Sequence, residues 1–272
     1  MTSLRLLLDN IPAWVKLEEY QGARARITAS LPSAASDLGR QFQLELAKSD
    51  KGGVQVKELP VSRALPSFCL ERHINGDGTF CIYFGSEAAL DDADAAISWW
   101  GCLEVFLSNQ IYAEKRAVWP LERGLSHGDA AKEQLAMEAL VESLPGWKDE
   151  ILKALFRGKG WLAGKLPRAS KSLDRVLNVR APCPRGCTRK HKLLRKQSCE
   201  VVTCNPGCVR RHVPLVRASC PHRSVVEELV LREYRRRRIE AEIIDHLIQQ
   251  GLRCCGTMRI CPVRDRTQAD EK

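Results

Sequence analysis

Residues 23–59 read ARARITASLPSAASDLGRQFQLELAKSDKGGVQVKEL. ARARITASL (23–31) and QFQLELA (41–47) alternate polar with apolar residues, the period of strands buried on one face. GVQVKEL (53–59) is a third candidate strand after the turn signal Asp50-Lys51-Gly52-Gly53. Pro60 and Pro66 then break the pattern, and 67–84 reads as irregular chain passing over a surface. From Ala93 to Val118 the period becomes helical. Ala96, Trp99, Trp100, Leu103, Phe106, Leu107 and Ile111 share one face, and Pro120 acts as a stop. Ala130–Leu144 and Trp147–Phe156 are further helices, the first capped by Asp129 or Ser126. Strands first and helices afterwards indicate an α+β fold rather than a doubly wound βα alternation.

Composition divides the chain of 272 residues in two. Residues 1–165 carry 19 basic and 22 acidic side chains, whereas 166–272 carry 24 and 11, so the net charge of +10 belongs to the second part. Of 12 cysteines only Cys69, Cys81 and Cys102 precede residue 180. A hydrophobic content of 44% supplies a core and excludes a mostly disordered chain. No apolar run is long enough to span a bilayer, and the charged start MTSLRLLLDNIPAW argues against a secretory signal. A reducing compartment is therefore expected, in which clustered cysteines read as metal ligands. The expected domains are 1–160, a basic Gly- and Pro-bearing linker at 161–182, and a cysteine-rich module at 183–272. The module ends in a long helix, 224–250, opened by the capping box Ser224-Val225-Val226-Glu227 and closed by Gly251.

CPRGCTRKHKLLRKQSC (183–199) and CNPGCVRRHVPLVRASC (204–220) align without a gap. The pattern C-x3-C-x3-H-x7-C thus occurs twice, each copy offering three thiolates and one imidazole, the donor set of a tetrahedral zinc. The sets are Cys183, Cys187, His191, Cys199 and Cys204, Cys208, His212, Cys220; ligands exchanged between the repeats would use the same eight residues. Two zinc ions are expected. A third at Cys254, Cys255 and Cys261, completed by His222 or His246, stays open beside simple packing of small apolar thiols. The basic module could attract nucleic acid. It has no Phe, Tyr or Trp between 183 and 223 for stacking on bases, so nucleic acid is not the favoured partner.

The stretch Leu70-Glu71-Arg72-His73-Ile74-Asn75-Gly76-Asp77-Gly78-Thr79-Phe80-Cys81 holds the ingredients of thiol chemistry. A nucleophilic cysteine needs exposure, thiolate character and a donor for the oxyanion formed on a carbonyl. Asn75 offers the amide donor, Arg72 and His73 offer positive charge, and the turn Gly76-Asp77-Gly78 would return Asn75 toward Cys81. Cys102 beside the apolar helix stripe and Cys69 are the rival thiols.

His73-x-Asn75, Gly78 and Cys81 resemble the His-Pro-Asn box and active-site cysteine of ubiquitin-conjugating enzymes, in particular their bacterial relatives with a cysteine-rich tail. Trp99-Trp100, Phe106-Leu107, Gln110, Trp119-Pro120 and Ser126-His127-Gly128 extend the resemblance over roughly residues 1–160, although Ile74 stands where the family has proline. The resemblance implies an antiparallel sheet with flanking helices, joined to the small zinc module and the long helix. It implies a transferase that carries a protein C-terminus as a thioester on Cys81 and passes it to an amine or other acceptor. Asn75 would steady the oxyanion or the loop, His73 would order the backbone, and one of Asp91, Asp92 and Asp94 would orient the amine unless all three simply begin a helix. Relatives of this kind sit in bacterial antiviral (CBASS-type) operons, where a cGAS-like nucleotidyltransferase is the conjugated protein. No adenylate-forming domain is recognisable, so a separate activating enzyme is expected unless the acyl group arrives already activated, and the resemblance implies a bacterial cytoplasmic location. The rival reading is a non-enzymatic zinc-binding adaptor or nucleic-acid binder built on an inactive conjugating-like scaffold.

Overall fold

The computed structural model describes residues 2–33, 36–49, 53–62, 64–82, 90–142, 144, 146–177 and 222–265. The chain forms two compact units, one made of 1–120 with 244–272 and one of 121–243.

The first unit opens with helix α1, Ser3–Asp9, capped by Thr2, whose hydroxyl accepts from the Arg5 amide. Four strands follow: β1 (Val15–Gln21), β2 (Arg24–Ser33), β3 (Ser36–Lys48) and β4 (Val54–Glu58). They pair in sequence order as an antiparallel meander. The register sets Ala25 opposite Leu46, Ile27 opposite Leu44, and Ala29 opposite Phe42, so every second residue adds to one buried face. The sequence pattern found β2, β3 and β4 but missed β1. Its residues VKLEEYQ bury only Val15, so an edge strand of this kind has no apolar alternation to read.

Helix α2, Ala93–Arg116, covers the apolar face. Its buried stripe is the expected one, with Gln110 and Ala113 added and Ile111 at the margin. Asp92 caps it, Oδ1 accepting from the Ala95 amide at 2.8 Å, which gives the acidic run Asp91, Asp92, Asp94 a structural use. The helix ends before Pro120, at Ala117, which takes a left-handed φ of 56°. The Ala117 carbonyl there accepts the Arg259 amide at 2.8 Å. Residues 252–265 pack back on this unit: Met258 enters the main core, and Cys261 and Val263 bury against Phe68.

The second unit contains α3 (Ala130–Leu140), α4 (Trp147–Arg157) and most of α5 (Arg223–Gln249). Met137, Val141, Trp147 and Ile151 share a core with Val226, Leu229 and Val230 of α5. The units divide at 120 and 243, whereas the sequence reading divides the chain at 160 and 182. Leu162 and Leu166 of the expected linker are buried in the shared core. The eight expected zinc ligands, Cys183 to Cys220, lie outside the described residues.

The basic run Arg235–Arg238 is largely consumed inside the second unit. Arg236 is buried between Glu233 and Glu240 and donates to Ser126 Oγ at 3.2 Å. Arg237 bonds Glu233 at 2.6 Å, and Arg235 donates to the Leu173 carbonyl at 2.6 Å. Burial works against ionisation of Glu240, yet the His127 hydrogen bond and the Arg236 charge prevail and hold its carboxyl at about 2, below its ordinary 4.5. His127 thus serves this buried pair rather than a reacting group.

Arg236→Ala leaves the buried Glu233 with Arg237 and the half-buried Glu240 with His127, and should destabilise the protein by about 3 kcal/mol, read as a lower urea midpoint. Glu240 stabilises above its unfolded pKa, and that contribution is lost as pH falls from 4.5 toward 2. Urea midpoints of Glu240→Gln should accordingly vary less than those of the native chain over this window.

Candidate active site

The expected surface loop 67–84 is a folded element as far as it is described. Phe68, Cys69, Arg72, Ile74 and Phe80 are buried. A single 3-10 turn, Leu70–Arg72, leads into His73, which holds a left-handed φ of 55°. Ile74 then pairs antiparallel with Phe80. The hairpin between them turns at Asn75–Gly78: the Gly78 amide donates to the Asn75 carbonyl at 2.9 Å, and Gly78 supplies the positive φ of 81°.

This register places Cys81 directly across from His73, whose carbonyl accepts the Cys81 amide at 2.9 Å. Because side chains alternate along extended chain, Ile74 and Phe80 face the core and Thr79 and Cys81 face outward. Asn75 is on the outer face as well, its amide donating to Thr79 Oγ1 at 3.0 Å. Thr79 in turn donates from its amide and hydroxyl to Asp77 Oδ1 at 3.0 and 2.7 Å. The fold therefore gathers His73, Asn75 and Cys81 on one hairpin, with the Asn75 amide engaged by Thr79. The His73 ring packs on Trp119, centroids 5.1 Å apart, and Trp119 also meets Phe106 of α2.

Arg72 departs from expectation. Its guanidinium turns inward and donates through Nε to Gln110 Oε1 at 2.7 Å, and Gln110 Nε2 returns a bond to the Arg72 carbonyl at 2.7 Å. Both side chains are buried, so Arg72 braces the hairpin on α2 instead of lending charge to Cys81. Cys81 is surface-exposed, but the chain packed about it removes enough water to push its thiol up. This shift runs against the thiolate character that the sequence reading looks for.

Gln110, which the sequence offers only as part of the family resemblance, is here the buried partner of Arg72, a glutamine on an otherwise apolar helix stripe. Cys102 is half-buried on α2. Cys69, the other rival thiol, is buried with its Sγ 2.8 Å from that of Cys255. Beside the hairpin lies an open cleft of about 500 Å³, lined by Gln55, Asn75, Gly76, Asp77, Thr79, Gln250 and Leu252. Leu252 approaches so closely that a Cβ on Gly76 would lie 2.6 Å from its Cδ1. Among the described residues no three His, Cys, Asp or Glu side chains converge to hold a metal, and no helix is long and apolar enough to cross a membrane.

Residues 19–121 match the family model described as "Prokaryotic E2 domain". The match runs from within β1 through the hairpin and α2 and supports, in general terms, a ubiquitin-conjugating-like role for this part of the chain. It stops at the end of the first unit's leading segment, short of residue 160. No curated protein and no solved structure matches the chain.

Only the thiolate is nucleophilic, so site-resolved alkylation of Cys81 should accelerate with pH and reach half its maximum above the ordinary thiol value of 9. Mass-spectrometric rates between pH 7 and 10 measure this; a plateau below pH 8 would contradict the desolvated thiol.

Proposed function

We propose that the E2-like unit takes up the C-terminal acyl group of a protein on Cys81 and delivers it to an amine. The observation that carries this reading is the placement of Cys81: exposed, on a hairpin braced from beneath by Arg72 and Gln110, within the span that matches the prokaryotic E2 model.

In the loading step the Cys81 sulfur attacks an incoming thioester carbonyl. The new C–S bond forms, the old one breaks, and the Cys81 proton passes to the departing thiolate, so no resting charge on Cys81 is required. In the transfer step an amine attacks the acyl carbon, Cys81 leaves as the sulfur anion, and the proton lost by the amine neutralises it. His73 serves through its backbone carbonyl, which fixes the Cys81 amide. Asn75 either holds the turn through Thr79 or exchanges that bond for the developing oxyanion. The family resemblance extends the proposal to a bacterial antiviral setting, a cGAS-like nucleotidyltransferase as the acyl donor protein, and an activating enzyme that supplies it.

Intact mass spectrometry of the protein recovered from cells with its partners should reveal a protein adduct released by excess thiol and absent from Cys81→Ala. An adduct that persists in Cys81→Ala, on Cys102 or Cys69, would reject the assignment. The mass of the released protein identifies the donor.

We further propose that the duplicated tail holds two zinc ions through Cys183, Cys187, His191, Cys199, Cys204, Cys208, His212 and Cys220. Three thiolates and one imidazole per repeat suit tetrahedral zinc, which would order a short segment that has few large apolar residues. Protein purified without chelator should contain about two zinc ions per chain by elemental analysis, and Cys187→Ser with Cys208→Ser should lower that number. The internal use of Arg235, Arg236 and Arg237 leaves the adaptor or nucleic-acid reading with less exposed charge than the sequence suggested.

A further inference from the structure

The return of residues 252–265 onto the first unit joins two thiols that the Cys81 chemistry does not use. Cys69 and Cys255 stand 186 residues apart in sequence, and their sulfurs are 2.8 Å apart. Cys69 is fully buried at the foot of the hairpin, whereas Cys255 is half-buried and also contacts Thr257 Oγ1 at 3.1 Å. The two thiols are unequal. Cys255 Sγ is hydrogen-bonded to Cys69 Sγ and, against the opposing effect of burial, this contact, Thr257 and the Arg72 charge hold the Cys255 thiol well below its ordinary value. The same contact, together with burial, pushes the Cys69 thiol up. One half-exposed thiol in contact with one buried thiol is the arrangement of an attacking and a resolving cysteine.

We propose that Cys69 and Cys255 are a peroxide-responsive pair that closes into an intrachain disulfide, tying the C-terminal segment to the base of the Cys81 hairpin. The Cys255 thiolate attacks one peroxide oxygen, the O–O bond breaks, and the sulfenic acid forms with release of hydroxide, which takes up a proton to become water. Cys69 sulfur then attacks Cys255 sulfur, the S–O bond breaks, and the hydroxyl leaves as a second water with the Cys69 proton. Two thiols lose two electrons, and the peroxide gains them. The link bears on the hairpin because Cys69 and Ile74 exchange both backbone hydrogen bonds, at 3.1 and 3.0 Å, and Ile74 pairs with Phe80 beside Cys81. The chemistry is independent of what Cys81 carries. Cys254 and Cys261 form a neighbouring thiol contact, so the pairing has a built-in competitor.

The full chain, reduced and then freed of reductant, is titrated with hydrogen peroxide, denatured in acid, capped with N-ethylmaleimide and mapped as peptides without reduction. The expected product is one linked peptide containing Cys69 and Cys255, about 2 Da lighter than the two thiol peptides together. It should form at lower peroxide doses than any oxidation of Cys81, revert with dithiothreitol, and form equally in Cys81→Ser. Recovery of Cys69 and Cys255 as separate capped peptides after Cys81 has been oxidised would overturn the proposal. So would Cys255 joined to Cys254 or Cys261. The native chain alone decides these outcomes; Cys255→Ser, expected to abolish the link, is confirmatory.

Discussion

The Arg72 guanidinium, buried against Gln110, is the contact on which the geometry around Cys81 depends. A buried cation is expensive unless every donor finds an acceptor, and desolvation does depress this guanidinium's pKa. Gln110 answers with its side-chain oxygen and its backbone carbonyl, and its own amide takes the Arg72 carbonyl. The 3-10 turn is thereby fastened to α2, the left-handed His73 reverses the chain, and Ile74 can meet Phe80. Cys81 is held outward as the last residue of that pairing.

The same principle operates on α5 with a different result. Four successive arginines look like a basic face, yet Arg236 and Glu233 bury each other, and carbonyls of the second unit take up Arg235 and Arg237. Net charge counted along a sequence overstates the field available to a partner, since paired arginines have spent their charge inside the fold. Among these residues Arg238 is the most exposed, facing Glu242 across 3.9 Å.

Legibility followed how local the determining physics was. The strands β2 to β4 and the helices α2 to α5 were readable because burial on one face leaves a period in the sequence. β1 was not, since Val15 is its single buried residue, and α1 was not, since a seven-residue helix completes too few turns for a period to emerge. In the site, His73, Asn75 and Cys81 were legible as a spacing. The inward turn of Arg72 was not, because its partner Gln110 is 38 residues away on another element. The Cys255 partner of Cys69 was hidden for the same reason, at still longer range.

The sequence by itself determined strands β2 to β4 and the helices after them, the spacing of the loop cysteine with its histidine and asparagine, and the duplicated cysteine–histidine spacing of the tail. Alternation, turn residues and ligand spacing are properties of neighbours along the chain, so they survive without coordinates. Only the tertiary structure decided that the Cys81 thiol is raised, that Arg72 is a brace, that residues 252–265 belong with the first unit, and that Cys69 meets Cys255. Each of these depends on desolvation or on contact between distant segments, and neither leaves a period in the sequence.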